Sequence, residues 1–535
     1  MALRLHNTLS GTTEAFRPLK PGEATFYTCG PTVYDFAHIG NFRSFLTADV
    51  LRRWLESPLC DRLGPDGTPD GGRGYRVTQV MNITDVGHMT DDAAADGGGE
   101  DKMELASRRL LEDKKSGKLP PGVAQTMDPG DPYAIASYYA GAFVQDALML
   151  GLRVADEAAK DPSLMPRPTQ MVGPMLEMIL TLIEKGHAYI APDGVVYFDT
   201  QSFPDYGTLS GNTLDRIRSG AGGRVSDSTQ ASKKHPADFM LWKPDPRHLM
   251  RWDPSKVLGR SVPLKEGYPG WHIECSAMAR GRLGEQIDLH SGGEDNIFPH
   301  HECEIAQSRC ATGRPSFANY WVHTRFLQVE GAKMSKSKGN FFTVRDLVAK
   351  GFSPAAIRLE LIKTHYRSNA NFTEQGLKDS TRTIERWREA VRKGGLEAPA
   401  TGGLPDPGSL SDSARHVLDE FAAAMNDDLN VAGAIGAVNA WLNKTPAPSR
   451  DDAAALLIID GTLGVLGLPE PAAATPGGER SAEDLRIDDL VRRRTEARSS
   501  KNWAEADRIR DELNALNIAV EDTPQGPKWS RKATL

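Results

Sequence analysis

The stretch Tyr27-Thr28-Cys29-Gly30-Pro31-Thr32-Val33-Tyr34-Asp35-Phe36-Ala37-His38-Ile39-Gly40-Asn41 decides how this chain is read. Upstream, Ala24-Thr25-Phe26-Tyr27 is aromatic, β-favouring and bounded by Pro21-Gly22, which predicts a short buried strand. Gly30-Pro31 ends it. Downstream, residues 42–55 place Phe42, Phe45, Leu46, Val50, Leu51 and Trp54 at helical spacing. A cysteine therefore leaves a strand end, a loop turns, and His38-Ile39-Gly40-Asn41 stands where a helix begins. Unpaired backbone N–H groups and the positive end of the helix dipole favour a phosphate there. Gly40 admits bulk close to the backbone, and His38 adds a donor. Four residues of this kind also occur at helix starts that bind nothing.

A second stretch, Lys333-Met334-Ser335-Lys336-Ser337-Lys338-Gly339-Asn340, sets three lysines in a Gly-bounded loop. Alone it is a solvated charge run. In this order, the two stretches resemble the HIGH and KMSKS signatures of class I aminoacyl-tRNA synthetases. The second match is complete; the first departs at Asn41, which keeps a hydrogen-bonding side chain but loses the imidazole. Together with CGPTVYDFAHIGN at 29–41, NITDVGH at 82–88, GWHIECSAM at 270–278, FPHHECEIAQS at 298–308 and EDTPQGPKW at 521–529, the chain resembles the cysteinyl-tRNA synthetase family along nearly its whole length.

Composition sets the outer limits. The chain has 535 residues, enough for several domains, with 39% hydrophobic and 25% charged residues. No apolar run approaches the ~20 residues of a membrane span, and the N-terminus lacks a signal peptide's apolar stretch, so a cytoplasmic location without membrane attachment is expected. Cys29, Cys60, Cys275, Cys303 and Cys310 are too scattered for a disulfide framework and are expected as reduced thiols. The net charge of −7 weighs against nucleic-acid binding as a whole, so local patches decide. Arg382, Arg386, Arg388, Arg392 and Lys393 form one basic stripe; Arg492, Arg493, Arg494, Arg498 and Lys501 form another. Each is also what a solvated helix face looks like.

Strand–helix alternation in residues 1–150 predicts a parallel sheet with its site at the carboxyl ends of the strands. A strand is expected over 75–83. Polar, Gly-rich loops are expected at 61–74 and 91–100, and an irregular stretch at 211–234. Helices are expected over 133–152 and 169–186, the second with Pro174 as a kink or in its first turn. Residues 188–198 form a hairpin pattern around Asp193-Gly194. Helical periodicity returns over 354–366, 373–393, 411–466 and 482–516, and 518–529 is strand-like. The alternation predicts an α/β fold, and the resemblance implies a Rossmann-like class I catalytic core with a parallel sheet, then an α-helical domain and a small C-terminal anticodon-binding domain. The corresponding boundaries are 1–150 and 266–350 for the two catalytic halves, 151–265 for a connective insertion, 351–400 for stem-contact helices, 401–470 for a helical bundle and 480–535 for the anticodon-binding part.

His300 and Glu304 stand four apart, so on a helix both face one way, with Pro299 near its start. With Cys29 and Cys275 they make two thiols, an imidazole and a carboxylate, a set that suits Zn²⁺. The spacing alone does not separate this from buried core cysteines, and His301, Glu302 and Cys303 stand in the same stretch as alternatives; helical phase turns His301 about 100° away from His300. The resemblance implies that Cys29, Cys275, His300 and Glu304 hold one zinc per chain. It implies that Thr84, Trp271, His290 and Asp295 hold and wall the substrate cysteine. It implies that His38, Gly40, Asn41, Lys333 and Lys336 serve ATP, with His38, Asn41, Lys333 and Lys336 catalytic and Mg²⁺ accompanying the nucleotide. Arg498, Asp507, Asp522 and Trp529 would contact the anticodon of tRNA(Cys). The activity implied is cysteine–tRNA ligation by a monomer, through cysteinyl-adenylate, with L-cysteine, ATP and tRNA(Cys) as substrates. A ligase that joins cysteine to a small amine, and a silent RNA-binding paralogue, are the rival readings; the tail argues against the first and the intact motifs against the second.

Overall fold

The computed structural model describes residues 2–87, 89–91, 98–116, 127–214, 232–335, 339–398, 403–469, 482–500, 502–516, 518–523 and 526–531. Its centre is a four-stranded parallel sheet. Strand β1 (Glu23–Thr28) is followed by helix α1 (Ile39–Leu55) and strand β2 (Arg76–Met81). The second half adds helix α2 (Trp271–Leu283), strand β3 (Ile287–Gly293), helix α3 (Glu302–Thr312) and strand β4 (Ala318–Thr324). The spatial order is β4-β3-β1-β2. In register, Thr28 lies beside Ser291 and Met81, and Gly293 beside Thr324.

That order places a topological switch between β1 and β3, because the chain runs from β1 to β2 on one side and later builds β3 and β4 on the other. A crevice opens at the carboxyl ends of strands where the order reverses. Cys29 follows β1 and Asp295 follows β3, so both stand at that crevice. The strands are buried on both faces, which explains why Phe26, Tyr27, Val80 and Leu289 are wholly inaccessible.

Between the halves, Ala188–Ile190 and Val196–Phe198 form the expected hairpin and continue through Phe239–Lys243 to Tyr268–Pro269 as an antiparallel sheet. Gly270 then passes against the Met240 carbonyl, where a Cβ would sit 2.2 Å from the oxygen, and launches α2. The helix over Val172–Glu184 carries Pro174 in its first turn, unkinked. Two regions expected as loops hold paired strands: Asp61–Leu63 with Pro69–Arg73, and Met89–Asp91 with Gly98–Asp101. Most of 211–234 lies outside the described residues.

Helices Glu374–Lys393, Asp412–Asn426, Val431–Lys444 and Arg450–Leu463 follow the core. Arg358 fastens them to it. Fully buried, it meets Asp49 of α1 at 2.5 Å and donates to the carbonyls of Leu463 at 2.7 Å and Leu150 at 2.8 Å. The last part is two helices, Ala482–Ser499 and Trp503–Ala515, where one periodic run was expected, and then a hairpin of Ile518–Thr523 with Gly526–Arg531. It buries its own core of Ile487, Leu490, Val491, Ile509, Leu513 and Ile518. Among the described residues no helix is long and apolar enough to cross a membrane.

Candidate active site

Helix α1 begins as the sequence suggests, with His38 as its N-cap. The Asn41 N–H donates to His38 Nδ1 at 3.2 Å, and the His38 N–H donates to Asn41 Oδ1 at 3.1 Å. Asn41, where the signature is altered, thus closes a capping box. Because Nδ1 accepts, the proton of the neutral ring sits on Nε2, which makes that nitrogen a donor. No acidic side chain occupies the first turn, so nothing there offsets the positive end of the helix.

The lysine stretch comes back to this point. The Ile39 N–H donates to the Phe342 carbonyl at 3.0 Å, and His38 and Thr343 pair through their backbones. Gly40 marks the close approach, since a Cβ there would lie 2.7 Å from Met334 Cε and 2.9 Å from the His38 ring. Asn340 holds the base of the loop, accepting from the Ser335 N–H at 2.9 Å and donating to the Lys333 carbonyl at 3.2 Å. Lys333 and Met334 line a cavity of about 530 Å³ together with Cys29, His38, Asn41 and Asp295. Lys336 lies outside the described residues.

At the floor of the crevice, Cys29, Cys275, His300 and Glu304 bring one donor atom each within 4.8 Å of one another, all buried. The two sulfurs are 3.9 Å apart, Cys29 Sγ is 3.7 Å from Glu304 Oε1, and His300 Nε2 is 3.1 Å from the same oxygen. Cys29 is placed by the end of β1, Cys275 by α2, and Glu304 by the first turn of α3. His300 comes from the turn that leads into α3, over Ile297–His301, where Phe298 is extended and the chain becomes helical again after it. His301 also faces inward, with Nε2 3.3 Å from Cys29 Sγ, because it stands three residues before Glu304 and so shares its face. A second donor group, Cys29, His290, His301 and Glu304, therefore overlaps the first.

The charges follow from these contacts. Burial opposes ionisation of Glu304, yet His290 and His300 bring its carboxyl down to about 2. Burial likewise opposes a charged His300, but Glu304 and Cys275 raise it to about 10. Burial and the Cys275 sulfur push the Cys29 thiol up, while burial of Cys275 is outweighed by the hydrogen bond from Cys29 together with His300, which bring it down to about 7. Burial and the neighbouring histidines keep His301 neutral. The cluster thus holds a carboxylate and a ready thiolate around one point, the donor set a zinc ion takes.

The remaining residues fall around it. His290 is wholly buried, its Nε2 3.0 Å from Glu304 Oε2. Trp271 stacks on His300 at 4.1 Å. Thr84 is buried beyond Gly30 and accepts from Asn82 at 2.9 Å. Asp295 faces the cavity, its carboxyl raised by burial. His272 and His323 were not singled out by the sequence, yet His272 Nδ1 is 2.9 Å from His300 Nδ1, and His323 Nε2 is 2.7 Å from His301 Nδ1. The available signal was a histidine directly after the buried Tyr320-Trp321-Val322 run of β4, as His323 is.

Arg498 and Asp507 are exposed in the C-terminal helices, with Asp507 2.8 Å from Arg510. Asp522 and Trp529 lie on the terminal hairpin, paired with Pro527 and Val520; their side chains are outside the described residues. Much of both basic stripes is engaged within the chain. Arg388 donates to the Leu466 and Leu468 carbonyls, and Arg492 pairs with Asp489 and Glu496.

Comparison with known proteins gives a consistent picture. Residues 15–382 match the family model for the class I (C) tRNA synthetase catalytic domain, and residues 481–529 match that for the cysteinyl-tRNA ligase anticodon binding domain. The cysteine–tRNA ligase of Salinibacter ruber is 41% identical over 558 residues, covering 99% of this chain and 98% of its own. That of Symbiobacterium thermophilum is 39% identical over 542 residues, covering 99% and 100%. Among solved structures, LeuRS of Agrobacterium radiobacter K84, in a ternary complex with tRNA and LeuAMS, superposes with a TM-score of 0.51 at 13% identity, covering 86% of this chain and 85% of that one, a likeness of fold.

Proposed function

This chain belongs to the cysteine–tRNA ligase family of class I aminoacyl-tRNA synthetases, and on that footing we propose that it forms cysteinyl-adenylate and recognises its amino acid through zinc. The observation that carries the proposal is the single cavity lined by Cys29 of the donor cluster, His38 and Asn41 of the first motif, and Lys333 of the second. Amino acid, nucleotide and cation then meet in one enclosure.

The substrate carboxylate attacks the α-phosphorus, the bond to the bridging oxygen breaks, and pyrophosphate leaves. No side-chain nucleophile takes part; the protein orients the reactants and stabilises charge. His38 Nε2–H and the start of α1 receive the triphosphate. Lys333 and Lys336 neutralise charge that develops toward the leaving pyrophosphate, and Mg²⁺ accompanies ATP as counter-charge. Asp295 accepts the substrate ammonium, while Thr84, Trp271 and His290 support the pocket. The ribose hydroxyl of the tRNA 3′ end then takes the acyl group and AMP leaves.

Cys29, Cys275, His300 and Glu304 would hold zinc, which supplies a Lewis-acid site for a thiolate that a hydroxyl cannot match. Shape alone separates such isosteres by roughly 10²-fold or less, which is why a metal is useful here. Arg498, Asp507, Asp522 and Trp529 are proposed as anticodon contacts, with types suited to base edges and stacking. Residues 1–150 and 266–350 act as the catalytic halves and 151–265 as their insertion. Residues 351–400 act as stem-contact helices, 401–470 as a bundle and 480–535 as the anticodon reader, in a cytoplasmic monomer.

The test is cysteine-dependent ATP–pyrophosphate exchange followed by transfer to tRNA. Exchange with cysteine and transfer to tRNA(Cys) are expected. Transfer to a small amine in preference to tRNA, or no exchange, would contradict the reading.

A further inference from the structure

His38 is held in place by more than its own cap. The capping box with Asn41 sets the orientation of the ring, but the position of the whole segment depends on what that segment rests against. Two stretches meet there. Phe36, two residues before His38, packs edge-on against Tyr138 at 6.0 Å and Tyr139 at 5.2 Å, both on the helix Pro132–Met149. From the other side, the Phe341 ring meets that of His38 edge-on at 5.2 Å, and Thr343 pairs with His38 through the backbone.

Arg345 ties the two stretches together. It belongs to the short helix Val344–Ala349, whose N-cap is Thr343. Its guanidinium lies 5.3 Å from the centre of the Phe36 ring. Its Nε donates to Asp146 Oδ1 at 2.8 Å, and its Nη2 donates to the Ala142 carbonyl and to Gln145 Oε1, each at 2.9 Å. One planar side chain thus joins the stretch around Thr343, the loop before His38 and the helix Pro132–Met149. The fork geometry and the flat face suit it to that work, which the point charge of a lysine would not do.

Asp146 is a demanding partner. It is 1% exposed, and among the described residues its Oδ2 has no hydrogen-bond partner. Burial raises its carboxyl to about 6 against the pull of Arg345, so at neutral pH it is a carboxylate. A buried ion pair adds little stability over apolar residues of the same volume. What this one does is fix where the guanidinium stands, and with it Phe36 and Thr343.

We propose that Arg345, anchored by Asp146, is a positioning residue for His38, setting through Phe36 and Thr343 where that ring stands at the nucleotide cavity. The inference rests on the ligase reading above, in which His38 receives the triphosphate. Arg345 does not itself line that cavity. It acts at a distance because a displacement of about 1 Å at a group that orients reactants lowers a rate by as much as about 10²-fold.

The experiment is a double-mutant cycle on the full-length, metal-loaded protein. Arg345→Gln is made alone and in a His38→Ala background, and cysteine-dependent ATP–pyrophosphate exchange is measured on each, with enough protein to read the residual rate. Alone, Arg345→Gln should lower kcat by about tenfold or more and leave KM for cysteine within about twofold. In the His38→Ala background the same substitution should lower the rate by less than about twofold, because the residue it positions is already gone. Asp146→Leu should match Arg345→Gln, and Asp146→Asn, which keeps an acceptor for Nε, should fall between it and the unsubstituted protein. Equal losses in the two backgrounds would show that the pair only supports the fold, and would overturn the proposal. So would an unchanged kcat for Arg345→Gln, or a rise in KM for cysteine in place of the fall in kcat. Absence of cysteine-dependent exchange in the unsubstituted protein would instead bring down the ligase reading itself.

Discussion

Replacing Glu304 with glutamine keeps its volume and removes its charge, and the structure sets the size of the effect. In the metal-free protein Glu304 is wholly buried, 3.0 Å from His290 and 3.1 Å from His300. Burial penalises its charge, but the two imidazoles bring the carboxyl from 4.5 to about 2. At about 1.4 kcal/mol per unit, the ionised carboxylate contributes about 3 kcal/mol. Read from the His300 side, the same contact gives a larger figure, because that ring also gains from Cys275; the smaller value belongs to Glu304 itself. The folded carboxyl lies below its unfolded value, so its contribution is whole above 4.5 and is lost as the pH falls towards about 2. The raised His300 contributes fully below 6.5 and loses its share as the pH rises through about 10. Both are intact between 4.5 and 6.5, so urea unfolding of the chelated protein belongs near the middle of that window. Trp271 and Trp321, which stack on His300 and His290, report the transition by their emission. With a slope of about 3 kcal/mol/M, the Glu304→Gln midpoint should fall by about 1 M. The difference should shrink in acid. A loss below about 1 kcal/mol, or one indifferent to pH, would refute an ionised Glu304 between two imidazoles.

Other outcomes follow from particular contacts. Asp49→Ala should cost about 3–5 kcal/mol, because it leaves Arg358 charged and buried; thermal unfolding measures it, and a loss under 1 kcal/mol would mean the pair is not ionised. Asn41→Ala should cost about 1 kcal/mol through the lost cap and reduce exchange less than tenfold, whereas His38→Ala should reduce exchange by orders of magnitude. Lys336→Ala should depress exchange by orders of magnitude while cysteine binding, measured by calorimetry, survives. Truncation after Pro469 removes a unit with its own core, so exchange should persist while charging of tRNA weakens; joint loss would show that the unit supports the catalytic core.

The strand, turn and helix around Cys29 were legible because each has a local cause: an apolar run, Gly30-Pro31, and a capping residue before a 3.6-residue stripe. The meeting of Cys29, Cys275, His300 and Glu304 was legible only through resemblance, since the sheet order that brings β1 beside β3 is non-local. What stayed hidden is geometric. His301 enters the cluster because it lies three residues before Glu304 on the same helical face, a relation that a phase measured from His300 alone does not bring out. His272 lies inside a quoted motif without being singled out and His323 lies in none; their roles become visible only when α2 and β4 are set against α3. The pairing of basic helix residues with their own acids is likewise a matter of packing; net charge and charge runs do not report it.

The central claim is that sulfur is recognised by metal. The ratio of cysteine- to serine-dependent exchange, measured before and after zinc is stripped by a chelator and restored, tests it most directly. The account predicts a ratio well above the ~10²-fold reachable by shape, collapsing on stripping and recovering with zinc. A metal-free protein that keeps full preference for cysteine would contradict it.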